Sequence, residues 1–270
     1  MKINYLQKDK PLKLKNQIKK LPILLFLIGY SIGLIAQKSR FKENENVYVW
    51  ATSGLNMRAL SDAKSPKMGT IPYGTKITVL PDIGVKVPFE VEEFKGFVVK
   101  GYWLLVKYGD TEGFVFDGFL SRLPAPKHAK NGLKTYLDNN LAKDGGQFDI
   151  QVYSETLKKV ILVSKVEPKD KEKTSGYSQK YKEGVFYKGG TGNEIGYNEH
   201  LEIPNISLFE GYFLVNYFYK AETTLGTGNT VTFDKKTNII SFQAVYEGGG
   251  CGFSIEKKGN KIILDGGCGC

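Results

Sequence analysis

Histidine is nearly missing from this chain: there are two, His128 and His200, in 270 residues. Cysteine is almost as rare, with Cys251, Cys268 and Cys270 all close to the C-terminus. Together these shortages exclude most hydrolytic machinery. A cysteine nucleophile needs a histidine base within reach. Both histidines precede every cysteine here, and Cys251 enters a strand from Gly248-Gly249-Gly250. A catalytic zinc wants at least two histidines and a carboxylate on one scaffold, and His128 falls in a linker. Nothing distinguishes the carboxylate pairs Glu92/Glu93 and Glu199/Glu202 from surface charge. The expectation is a protein without catalysis, metal or cofactor.

Long apolar runs and dense basic runs are also lacking. The formal charge is +10, but seven lysines against Asp9 in residues 1–20 supply six of those charges, leaving four for the other 250 residues. No Lys/Arg cluster is interleaved with aromatics, so no nucleic-acid partner is expected. The apolar stretch from Leu21 to Ala36 falls short of the ~20 residues a spanning helix needs, and Pro22, Gly29 and Gly33 interrupt it. With the lysines before it and Ala36 at its end it describes a secretory signal peptide, residues 1–36, cleaved before Gln37. Only an uncleaved segment would place the protein on the membrane. No cysteine follows to carry a lipid. The protein is therefore expected to be exported, to the periplasm, the cell envelope or outside the cell.

What the chain has in quantity is glycine and aromatic residues, 31 Gly, 16 Tyr and 16 Phe, a mixture that favours β structure with many turns. After a polar leader at 37–46, short alternating segments begin. Ser53-Gly54-Leu55-Asn56-Met57-Arg58 opens the series. Gly69-Thr70-Ile71-Pro72-Tyr73-Gly74-Thr75-Lys76-Ile77-Thr78-Val79 continues it, and Trp103 to Tyr108 with Glu112 to Leu120 closes it. Such short, closely spaced runs suggest a small barrel.

These residues resemble the bacterial SH3-like domain. Leu55, Asn56 and Arg58 match its opening motif, and Gly69, Gly74, Ile77 and Val79 its centre. Trp103, Val106, Gly113, Phe114, Val115 and Leu120 match its end. The resemblance covers about residues 47–123, with two departures. Leu60-Ser61-Asp62-Ala63 stands where Gly-Pro is commoner, and an insertion at about 82–100 replaces a short loop. It implies a binding module of the cell envelope rather than a catalyst. Tyr73, Tyr102, Trp103 and Tyr108 are the candidate ligand residues, though aromatics in such a barrel are more often core. Within the insertion, Phe89-Glu90-Val91-Glu92-Glu93-Phe94 alternates apolar with acidic residues. It reads as an extra hairpin on the barrel or as a specificity loop.

Prolines 124 and 126 mark a linker at 124–130. Leu133, Tyr136, Leu137 and Leu141 then fall at helical spacing. From Phe148 on, segments read as strands, including an apolar run at Tyr212–Tyr219 expected to be a central or cavity-lining strand. Gly189-Gly190-Thr191-Gly192 reads as hairpin loop, since no Lys-Ser/Thr and no helix follow as a phosphate loop requires. The region 131–270 is expected to be an antiparallel barrel or sandwich, making the whole chain mainly β. With Lys258-Gly259 at the tip of the last hairpin, Cys251 falls opposite Gly266 and two residues from Cys268. Export favours oxidation, so the expected disulfide is Cys251–Cys268, with Cys251–Cys270 second. The functional expectation is a non-catalytic envelope protein binding cell-wall peptide or glycan, or an envelope protein partner. The alternative makes the C-terminal half a small-molecule carrier or an inhibitor of a secreted enzyme.

Overall fold

A computed structural model describes residues 39–81, 84, 87–129, 132–144, 149–154, 159–163, 175–191, 196–224 and 230–269. The signal segment with its cleavage point, and Cys270, lie outside them. The first half holds β1 Asn46–Val49, β2 Leu55–Arg58, β3 Lys67–Ile71, β4 Lys76–Val79 and β5 Pro88–Phe94. β6 Phe97–Tyr108, β7 Thr111–Phe116 and β8 Leu120–Ser121 complete it. These strands pair in the order β3-β2-β7-β6-β4-β1-β8, all antiparallel, with β5 added on β6. Period-two alternation turns Val47, Val49, Leu55, Ile77, Val79, Leu104, Val106 and Val115 into one closed apolar core. The insertion is a hairpin, in which Phe89 pairs with Gly101, Val91 with Val99 and Phe94 with Phe97.

The second half holds α1 Gly132–Asn140, β9 Asp149–Ser154, β10 Lys159–Val163, β11 Ser175–Lys180, β12 Phe186–Thr191 and β13 Gly196–Pro204. Then come α2 Leu208–Thr224, β14 Thr230–Asp234, β15 Ile239–Tyr246, β16 Gly249–Lys258 and β17 Lys261–Gly269. The nine strands form one antiparallel sheet running β10-β9-β11-β12-β13-β17-β16-β15-β14. The protein is mainly β, and its described residues form two antiparallel sheets and two α-helices. Helix α1 forms where its stripe falls, burying Leu133, Tyr136 and Leu137. Among the described residues no helix is long and apolar enough to cross a membrane.

The expected strand at Tyr212–Tyr219 is instead the middle of α2. A run that is apolar on every side has neither a period of two nor of 3.6, so alternation cannot identify it. Its start is marked by a capping box. The Ser207 backbone N–H donates to the Glu210 carboxylate at 2.7 Å, and the Glu210 backbone N–H donates to Ser207 Oγ at 3.2 Å. The helix needs apolar residues all round because it is covered on both sides. Tyr219 stacks on Phe253 of the sheet with ring centroids 4.3 Å apart, and Phe213 meets Trp50 of the barrel side at 5.2 Å. Gly211 permits the approach to the sheet, since a Cβ there would fall 2.7 Å from Ile262 Cγ2 and 2.8 Å from Ile255 Cγ2.

The last hairpin also differs in register. Lys258 pairs with Lys261, so the tip is Gly259-Asn260 and Gly266 lies opposite Phe253 rather than Cys251. Cys251 and Cys268 are direct cross-strand partners, with their sulfurs 1.95 Å apart. The barrel and the sheet share one core. Trp50, Phe97, Val99 and Phe116 join Leu133, Leu137, Phe209, Phe213 and Leu214 in a single buried cluster.

Candidate functional site: an aromatic cleft between barrel, hairpin and helix

A cleft of about 380 Å³ opens where three elements meet, a size typical of ligand sites. The barrel gives Thr52, Ser53, Asn56 and Arg58 on one side. The inserted hairpin gives Phe89, Val91 and Glu93, and α2 gives Phe209 and Phe213. Beneath them runs a chain of rings. Trp103 is 5.2 Å from Phe89, Phe89 is 5.2 Å from Phe116, and Phe116 is 5.4 Å from Phe119. Phe119 is 5.0 Å from Phe209, which is 6.0 Å from Phe213. Edge-to-face and tilted pairs at these separations add to the stabilisation from area burial.

Phe119 owes its place to a 3-10 turn, Asp117–Phe119. Buried Asp117 accepts hydrogen bonds from Ser39 Oγ at 3.0 Å and from the Tyr102 backbone N–H at 2.6 Å. Gly101 makes room for that carboxylate: a Cβ there would lie 2.1 Å from Asp117 Oδ1. Arg40 donates to the Leu120 carbonyl and pairs with Glu210, whose side chain is 1% exposed. One guanidinium thereby ties the turn carrying Phe119 to the helix carrying Phe209.

The charges at the cleft are Arg58 and Glu93. Arg58 Nη1 donates to the Ser65 carbonyl at 2.6 Å. Partial burial raises the pKa of Glu93 above the ordinary carboxylate value. No histidine or cysteine lines the cleft. Elsewhere, His200 bridges Asp265 at 2.5 Å and Glu202 at 3.3 Å on the sheet. Among the described residues no group of His, Cys, Asp and Glu side chains gathers as a metal site.

Of the four aromatic residues singled out by sequence, only Trp103 lines the cleft. It is buried outside the barrel's own core, which Leu104 and Val106 fill. The inserted hairpin covers it through Phe89. Tyr73 lies on the α2 side, 6.0 Å from Phe213, and donates its hydroxyl to the Pro126 carbonyl at 2.7 Å. Burial and the nearby Tyr217 push its pKa up. Tyr102 sits in β6 opposite Pro88, and exposed Tyr108 ends that strand. The four do not share one groove. Phe213 was hidden inside a run that reads as strand, and Phe209 lies just before that run; the Ser207-x-x-Glu210 pattern was the available signal for a helix.

The model of the bacterial SH3 domain family matches residues 53–121. That stretch covers β2 to β8 and supplies Ser53 to Asn56, Arg58, Trp103, Phe116 and Phe119 to the cleft. The matched segment is thus a domain of the bacterial SH3 kind, which suggests a binding module, and such domains with a disulfide suit an extracellular or envelope setting. No curated protein and no solved structure matches the chain.

Proposed function

We propose that this is an exported, non-catalytic binding protein of the cell envelope, whose ligand is cell-wall peptide or glycan held in the aromatic cleft. The observation that carries the reading is the cleft itself, a ligand-sized opening at the edge of the matched SH3 segment with a floor of packed rings. Aromatic rings suit sugar rings and apolar side chains, while Ser53, Thr52 and Asn56 offer hydrogen-bonding groups in the lining. Export is supported by the basic and apolar leader and by the Cys251–Cys268 bridge. A lining free of histidine and cysteine supports binding without catalysis. The carrier reading leaned on a cavity-lining strand at Tyr212–Tyr219. That segment is a helix buried between sheet and barrel.

The test is co-sedimentation of the whole chain from Gln37 with purified peptidoglycan. Ala63 lines the cleft, so Ala63→Trp fills it from a loop position. Wild type should sediment with the wall and Ala63→Trp should not. Equal retention of both would remove the cleft as the site.

A further inference from the structure

The inserted hairpin gives the cleft something that the barrel residues alone lack. Glu93 is the one carboxylate in the lining, and among the described residues it has no hydrogen-bond or ion-pair partner. Arg58, the one base there, is directed to the Ser65 carbonyl. Phe89 and Val91 alternate along β5, and Glu93 follows at the irregularity between Glu92 and Phe94; all three line the cleft together with Phe119. A carboxylate without a counter-ion in a cleft lined by aromatic rings is suited to organic cations. The rings attract the cation through their quadrupoles, and the carboxylate supplies the opposite charge.

We infer that the cleft recognises a primary ammonium carried on a cell-wall peptide, with Glu93 as its counter-ion and Phe89 and Phe119 as flanking faces. The inference rests on the wall-binding reading and adds to it the chemical group that is recognised. It also assigns a role to the insertion: its hairpin contributes a carboxylate to a cleft that Trp103, Phe116 and Phe119 also line. A hydrogen-bonding rim of Thr52, Ser53 and Asn56 remains for the peptide backbone.

The experiment uses the whole chain from Gln37 and purified peptidoglycan, native and with its amines acetylated. Wild type should bind the native wall at least tenfold more tightly than the acetylated wall. Glu93→Gln should bind the native wall at least tenfold more weakly than wild type, with an unchanged melting midpoint. Glu93→Lys should repeat the loss. Equal binding of wild type to native and acetylated wall overturns the inference and leaves the wall-binding reading standing. Wild-type affinity in Glu93→Gln overturns it equally. Failure of wild type to bind either wall removes the wall-binding reading and this inference with it.

Discussion

The ring of Phe213, in α2, lies 5.2 Å from the ring of Trp50, which follows β1 and is fully buried. Over a hundred and sixty positions of chain separate them, yet they belong to one core. Removing the Phe213 ring should cost about 3–5 kcal/mol, as large-to-small core changes do. The loss should appear in both halves at once. Denaturant unfolding of Phe213→Ala, followed by tryptophan fluorescence for the barrel side and by far-UV circular dichroism for all strands, checks this. One shared, shifted transition is expected; a shift in only one signal would mean the halves unfold independently.

Gly211→Ala should destabilise the protein, against the usual preference of helices. Alanine in place of glycine gains about 1 kcal/mol in an exposed helix. Here the new Cβ would press on the branch methyls of Ile255 and Ile262, both buried. Overpacking of that kind costs about 1–3 kcal/mol. A lowered melting midpoint is expected, and a raised one would show that α2 can shift away from the sheet.

Reducing the Cys251–Cys268 bond should cost about 3 kcal/mol, given a sequence separation of 17. Non-reducing peptide mapping should recover the peptides of β16 and β17 linked. Recovery of Cys251 as a free thiol from oxidised protein would contradict the pairing.

Acid should weaken one surface cluster selectively. Glu202 is held below its ordinary pKa of 4.5, first by the hydrogen bond from Lys261 and then by that from His200. A carboxylate with a depressed folded pKa stabilises the fold above its unfolded pKa and loses that contribution as pH falls through the folded one. Lys261→Met should therefore be less stable than wild type at about pH 6, by no more than about 1 kcal/mol for a partly exposed pair. The gap should narrow at about pH 3, below the usual carboxylate range. Melting curves at both values decide it, and a gap independent of pH would assign the effect to packing instead.

The barrel was legible because its strands carry period-two patterning and its turns carry glycine, so each short segment announced itself. Helix α1 was legible for the same reason: Leu133, Tyr136 and Leu137 form a one-sided stripe. Helix α2 was not, because a segment covered on both faces has no polar side to set a phase. Strands β11 and β13 were hidden by their composition. Ser175-Gly176-Tyr177-Ser178-Gln179-Lys180 and Gly196-Tyr197-Asn198-Glu199 hold too few β-branched residues to read as strand. Half of the cleft was visible in the SH3-like motif. The other half comes from α2 and from the fold of the insertion, contacts that no local pattern encodes.

Hydrogen exchange of the whole chain, with and without soluble cell-wall fragments, tests the composite cleft most directly. Protection should rise together in Thr52–Arg58, in Phe89–Glu93 and in the first turns of α2 around Phe209, the three segments that line the opening. Protection confined to the barrel segment, or appearing only on the outer strands β10 or β14, would contradict a site built jointly by barrel, hairpin and helix.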